Sequence, residues 1–167
     1  NDPELIARAL GSGGDVRIAD GGFLHLRLDD RLILALTEGT DATVPAPPER
    51  GSEGPLISEV RDGELRLKTG PGFPGSRLHV LTTEGRTEIV GTIVSVYKGG
   101  GYTCVCVLEG TALIGVDEKS LDEIPPGMLK IMFDDGSPPI VMEISAEHKA
   151  GLLEFSEEYR DAFETPQ

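Results

Sequence analysis

Residues 78–116 constrain the fold of this chain more than any other part. They read LHVLTTEGRTEIVGTIVSV, then a glycine-rich break, then YTCVCVLEGTALIGV. Short runs rich in Val, Ile, Leu and Thr are separated by Glu84-Gly85, Gly99-Gly100-Gly101 and Glu109-Gly110. Such residues fit a pleated, half-buried surface, and Gly-containing dipeptides reverse the chain between such runs. The pattern predicts a compact β domain. Nothing in it resembles a catalytic constellation.

Composition narrows the function classes. A chain of 167 residues with 38% hydrophobic content can bury one real core. Its 22 Gly and 12 Pro follow no repeat, so they predict many tight turns between short strands. The net charge of −14 opposes nucleic acid, whose phosphates require Lys and Arg to displace their counterions. The same sign disfavours an anionic membrane surface. Trp is absent and aromatics are 5%, so stacking platforms for sugars or single strands are poorly supplied. No apolar run approaches the ~20 residues of a membrane span, and there is no signal peptide. The first residue is Asn1, read as the start of a fragment or mature form, with any membrane attachment made through a missing upstream anchor.

The remaining segments extend the β reading. DPELIARAL (residues 2–10) predicts a short helix, with Asp2 as cap, Pro3 in the first turn and Gly11 as stop. DVRIADGGFLHLRL predicts a hairpin turning at Asp20-Gly21-Gly22, with Leu24, Leu26 and Leu28 on one face and Phe23, His25 and Arg27 on the other. LILAL (32–36) is apolar throughout and belongs deep in the core. Residues 37–55 are dense in Pro and Gly and predict a mobile loop. LISEV (56–60) and GELRLKT (63–69) predict two strands turning at Asp62-Gly63. LKIMF (129–133) and PIVMEI (139–144) predict two more, turning at Asp135-Gly136. The segment 145–163 predicts a helix capped by Ser145, with Leu152, Phe155, Tyr159 and Phe163 in one stripe against the sheet.

Chemistry-bearing patterns are scarce. Gly99-Gly100-Gly101 lacks the Lys-Ser/Thr and helix start of a phosphate loop. His25, His79 and His148 lie in different elements and read as isolated rim or surface histidines. Asp29-Asp30, Asp134-Asp135 and Glu157-Glu158 are adjacent pairs whose side chains diverge, so they suit solvated turns better than acid–base work. Cys104 and Cys106 share one strand face. A disulfide between them would be strained, and one such pair is too few ligands for zinc, so both read as small buried apolar residues. No catalytic, metal-binding or cofactor-binding residue is expected.

Several motifs in fixed order carry a resemblance. They are Gly63-Glu64-Leu65, Leu78-His79-Val80-Leu81-Thr82, Gly91-Thr92-Ile93-Val94-Ser95-Val96, Val105-Cys106-Val107-Leu108-Glu109-Gly110, and Ile124 to Gly127. Over roughly residues 14–130 the chain resembles the FecR domain, the extracytoplasmic regulator module of bacterial cell-surface signalling. The motif residues Gly63, Gly91, Thr92, Glu109, Gly110 and Gly127 are turn and core residues. Val94 stands where that family usually has an aromatic, and Leu78 where Phe is common. Physically, Gly91 within a β run suits a bulge or a close backbone approach, and Glu109-Gly110 suits a tight reversal between two strands. Val90, Thr92, Val94 and Val96 should share one face.

These readings converge on a mainly β fold: a stacked antiparallel β-sandwich or short β-solenoid-like domain, with a short N-terminal helix and a C-terminal amphipathic helix. The expected division is 1–12 as helix or linker, 13–144 as the β domain, and 145–167 as the terminal helix. The resemblance implies a non-catalytic, periplasmic or extracytoplasmic protein-interaction module of the sigma/anti-sigma regulator type. Its partner would be a protein, either an envelope receptor or a signalling regulator. A small-ligand or carbohydrate-binding β domain is the alternative and predicts a concave pocket with convergent polar groups. An enzyme ranks last.

Overall fold

A computed structural model describes residues 13–46 and 54–163. The helix expected over 2–10 and part of the loop expected over 37–55 lie outside the described residues. The described chain is mainly β: β1 (Gly14–Arg17), β2 (Leu24–Leu28), β3 (Leu32–Leu36), β4 (Asp41–Val44), β5 (Leu56–Thr69), β6 (Leu78–Leu81), β7 (Arg86–Gly99), β8 (Tyr102–Gly115), β9 (Asp122–Ile124), β10 (Met128–Phe133) and β11 (Ile140–Glu143), followed by the helix α1 (Ala146–Glu158). Among the described residues these strands join in one 11-stranded sheet. The sheet is mixed, not purely antiparallel as expected, because β5 and β6 pair in parallel from Leu56↔Leu78 to Glu59↔Leu81.

Three strands are far longer than the sequence suggested, at 14 residues each. The expected reversals at Asp62-Gly63 and Glu109-Gly110 do not occur; β5 runs unbroken through Gly63 and β8 through Gly110. Each long strand instead changes which alternate residues face the core. In β5 the buried apolar set passes from Leu56 and Val60 to Leu65 and Leu67, across Gly63. In β7 it passes from Ile89 to Val94 and Val96, across Gly91; in β8, from Val105 and Val107 to Ala112 and Ile114, across Gly110. A strand has a side-chain period of two, so such a switch needs an extra residue or a kink. The β7–β8 register supplies one on each strand, with shifts between Ile89/Gly91 and Ile93/Val94. The first ejects Val90, which is 58% exposed and does not share the face of Val94 and Val96. Gly91 therefore marks a bulge, as expected.

These bends wrap the sheet around one core. Both ends of β5 come to β7: Leu56 lies beside Leu78, which pairs with Ile89, and the Thr92 amide donates to Thr69 Oγ1 at 2.9 Å. β5, β6 and β7 thus form a closed circuit of pairings. Glycine is required at the β7–β8 bend. Gly110 has φ +72°, and a Cβ there would lie 2.0 Å from the Gly91 carbonyl oxygen. Beside it, the Thr92 hydroxyl donates to the Glu109 carbonyl and ties the two strands together at the bend.

Two other expectations are corrected. Asp20-Gly21-Gly22 does turn the chain, with the Gly22 amide donating to Ala19 O at 2.9 Å, but it closes no β1–β2 hairpin. β1 pairs with β4, and β2 with β3. A turn dipeptide fixes where the chain reverses, not which strand it meets. The partner β4 lies inside the segment expected to be a mobile loop; Ala42 and Val44 are buried there, and Asp41 binds Arg17 and Arg61 across the three neighbouring strands. By contrast, LILAL is buried on both faces as expected. Leu32, Leu34 and Leu36 enter the main core, while Ile33 and Ala35 pack on the opposite face.

The Glu84-Gly85 turn between β6 and β7 hides a buried ion pair. Glu84 Oε1 lies 2.9 Å from Lys98 Nζ, and its other oxygen accepts from Thr103 Oγ1 at 2.7 Å. Burial pushes this carboxyl up. The hydrogen bonds from Lys98, Thr103 and Thr83 outweigh that push and hold it below its usual value of 4.5.

Two expected outcomes test this architecture. Gly110→Ala should cost about 3 kcal/mol or more in a urea melt, against about 1–2 kcal/mol for Gly136→Ala, where φ is +79° but nothing crowds a Cβ. Glu84→Gln leaves Lys98 buried beside a neutral partner and should cost about 3 kcal/mol at pH 7. A depressed carboxyl stabilises the fold above its unfolded value and loses that contribution as pH falls through its folded value. The gap between wild type and Glu84→Gln should therefore close as pH drops below the ordinary value of 4.5.

Candidate functional site

Alternation on the second half of β5 places Arg66 and Lys68 opposite Leu65 and Leu67, as the sequence predicts. Their face is not open to water, because α1 lies across it. Ser145 caps the helix through the His148 amide, and Glu147 occupies its first turn. Leu152 then packs against Cys104, Cys106, Leu129 and Ile144. Phe155 packs with Ile33, Ala35 and Ile93, joined by Tyr159 and Phe163. The stripe expected from the sequence is therefore the docking face. Lys68 Nζ donates to Ser156 O and Tyr159 O, each at 3.1 Å, and caps the last carbonyls of the helix. The expected outer face of β2 meets the same end: His25 packs edge-on to Tyr159 at 5.1 Å, and Arg27 stacks over Phe163.

Beside Ser145 and the first two turns of α1 the helix and sheet part, leaving a cavity of about 970 Å³. β8 and β10 floor it with Cys104, Cys106, Leu129 and Ile131. One wall is polar: Arg66 grips both oxygens of Glu64 at 2.9 and 3.1 Å, and Ser95 Oγ donates to Glu64 at 2.6 Å. Tyr97 and Tyr102 stand nearby with ring centroids 5.8 Å apart. Burial and the neighbouring Tyr97 push the Tyr102 phenol up, so it stays protonated at neutral pH. Met142 and His148, both exposed, line the mouth.

The two cysteines meet as expected on one face and are buried, with their sulfurs 3.9 Å apart. The hydrogen bond they share, then burial, pushes the Cys106 thiol up, while the same bond lowers Cys104.

The histidines stay apart. His25 lies against Tyr159, His79 beside Arg86 and Glu88, and His148 at the helix start. Burial, then the Arg86 charge, lowers the His79 pKa. The acidic pairs serve local structure: Asp29 binds Arg31, Asp135 accepts from the Ser137 amide, and Glu157 binds Arg160. Among the described residues no group of three or more His, Cys, Asp or Glu is placed to hold a metal ion. Of the motif residues, Gly127 bears on the site. Its amide donates to Val107 O at 2.8 Å and its carbonyl accepts from the Ile144 amide at 2.9 Å, tying the start of α1 to β8. Glu64 and Ser95 were singled out only as parts of motifs, and Arg66 and Met142 carried no sequence signal beyond strand alternation.

β11 completes the site's rim. Among the described strands it pairs only with β10. Ile140, Val141 and Met142 are each about half exposed, at 46, 48 and 50%.

No known family model and no curated protein matches the chain. Solved structures do, among them two crystal structures described as "a putative anti-sigma factor from Parabacteroides distasonis ATCC 8503" and determined at 2.50 and 1.65 Å. Each matches with TM-score 0.69 and 18% sequence identity, over 84% of this chain and 64% of the other. The likeness is one of fold, and this chain spans 64% of the length of those proteins. Among the described residues no helix is long and apolar enough to cross a membrane.

The helix dock can be tested alone. Phe155→Ala should cost about 3–5 kcal/mol of helix docking, the range for deleting a buried aromatic ring. Hydrogen exchange should show amides of residues 146–158 losing protection while those of β7 and β8 keep theirs.

Proposed function

We propose that this chain is a non-catalytic protein-interaction module of an anti-sigma-type signalling regulator, working outside the cytoplasmic membrane. The observation that carries this reading is the shared fold with proteins each described as "a putative anti-sigma factor". The FecR-like motif order over residues 14–130 supports it from the sequence side. It also supplies the extracytoplasmic placement and the link to a membrane-anchored regulator.

The docking surface is the free edge of β11. An extended segment adding there would hydrogen-bond to the strand's unpaired backbone groups, and its alternate side chains would reach the cavity beside Met142. Glu143 and Glu147 line that cavity, and the chain carries a net charge of −14, so a segment with Lys or Arg between its apolar residues is the complementary partner. The cavity itself favours a second reading, a small apolar ligand between sheet and helix.

The test uses the full-length gene product in its own cell. Deleting the gene should change the transcripts of one alternative sigma factor's regulon. Val141→Lys, which charges the edge, should reproduce the deletion, and a photo-crosslinking residue at 141 should trap one protein partner outside the cytoplasmic membrane. Unchanged sigma-dependent transcription, or a cytoplasmic location, overturns the proposal. A small molecule retained by both wild type and Val141→Lys in native mass spectrometry, with transcription unaffected, selects the second reading.

A further inference from the structure

The cavity takes its character from two rows of side chains on the sheet face that α1 crosses. Strand register sets one row as Glu64, Tyr97, Cys104 and Ile131, and the next as Arg66, Ser95, Cys106 and Leu129. α1 runs over the second row: Arg66 Nη1 donates to Gly151 O at 3.4 Å, and Leu152 packs with Cys106 and Leu129. The first row lies at the helix's side, where Tyr97 stays 41% exposed. At about 970 Å³ the space is within the ~300–1,000 Å³ of small-molecule sites.

The charges around this space select the sign of a ligand. Among the described residues that line it, Arg66 is the sole Lys or Arg, and it already grips both oxygens of Glu64. Three carboxylates line the same space, those of Glu64, Glu143 and Glu147. Glu147, in the first turn of α1, also offsets the positive end of the helix dipole. His148, the other basic side chain there, is exposed at the mouth. An entering anion would meet an acidic excess.

A cation finds partners instead. Glu64 Oε1 accepts from Arg66 Nε and Ser95 Oγ, whereas among the described residues Oε2 accepts from Arg66 Nη2 alone. A carboxylate oxygen takes two donors, so Oε2 has room for one more. Tyr97 stands opposite Glu64 across the β5–β7 ladder, and its ring centroid lies 5.8 Å from that of Tyr102. Aromatic faces attract an ammonium through their negative quadrupole. Beyond them the floor of Cys104, Cys106, Leu129 and Ile131 is an uncharged bed for an apolar body.

Resting on the second reading above, a small ligand between sheet and helix, we propose that the cavity binds a compact amphipathic amine. Its protonated nitrogen donates to Glu64 Oε2 beside the Tyr97 and Tyr102 rings, and its apolar body lies on the cysteine-lined floor. Glu64 and Tyr97 set the preference for a cation. Glu143 and Glu147 raise the local concentration of cations at the mouth.

The experiment titrates the full chain at pH 7 by calorimetry with three probes of one shape: 1-naphthylmethylamine, a cation at that pH, 1-naphthalenemethanol, which is neutral, and 1-naphthoate, an anion. The amine should bind at least about 10-fold more tightly than the alcohol, the advantage of a charged hydrogen bond, and the naphthoate should not bind. Tyr97→Leu, at an exposed position, should weaken the amine about 3–10-fold and leave the alcohol within about 2-fold. Glu64→Gln removes the acceptor's charge and frees Arg66, so it should abolish the amine's advantage and admit the naphthoate. Alcohol bound as tightly as the amine overturns the cationic assignment and leaves the second reading standing, whereas binding of none of the three overturns both. Amine binding unchanged in both variants also overturns the proposal. Should Glu64→Gln fail to fold, Tyr97→Leu decides alone: an unchanged ratio of amine to alcohol affinity overturns the assignment.

Discussion

The contact on which this structure depends is the approach of two backbones at the middle of the β7–β8 ladder. Gly110 sits so close to the Gly91 carbonyl that no side chain can stand between them. At that point both strands change the face they turn inward. Without the change, the continuing residues Ile89, Ala112 and Ile114 would point away from the core that Val94, Val96, Val105 and Val107 begin. A twisted sheet of long strands would then be half lined with exposed apolar residues. The bend turns one face of one sheet into a continuous interior.

The second face follows from the first. Once the core lies on one side, the alternate residues of β3, β5, β7 and β8 must be covered or solvated. α1 does the covering, with Leu152 and Phe155 over apolar patches and Lys68 capping its end. The Glu64–Arg66–Ser95 group lies beneath the helix, its donors and acceptors pairing within the group and Arg66 also donating to the Gly151 carbonyl. This lets the helix lie over charged residues without stranding a charge. The helix covers less than the whole face, and the uncovered remainder is the cavity.

Much of the core was legible in the sequence, and for a plain reason: burial on both faces leaves a continuous apolar run, as in LILAL, and burial on one face leaves alternation. The C-terminal helix was legible through its cap and stripe. The strand bends were not. Gly63 and Gly110 carry the same local signal as the turn glycines, and only partners distant in sequence determine whether a glycine reverses a strand or kinks it. β4 was hidden because Asp41–Val44 is four residues long amid Pro and Gly. The cavity was illegible because it is a mismatch between two surfaces, each of which reads normally. Cys104 and Cys106 were placed on the right face, but their common exposure to a cavity depends on where the helix stops covering β8.

The closed circuit of β5, β6 and β7 also bears on how finely this chain can be divided. The main core takes Leu32 to Leu67 from before the 70–77 connection and Leu78 to Met132 from after it. β5 contributes to both walls. No cut between Leu32 and Met132 leaves a piece with a complete interior, and neither piece could trade places with a foreign half. A larger protein can carry this unit or lose it whole.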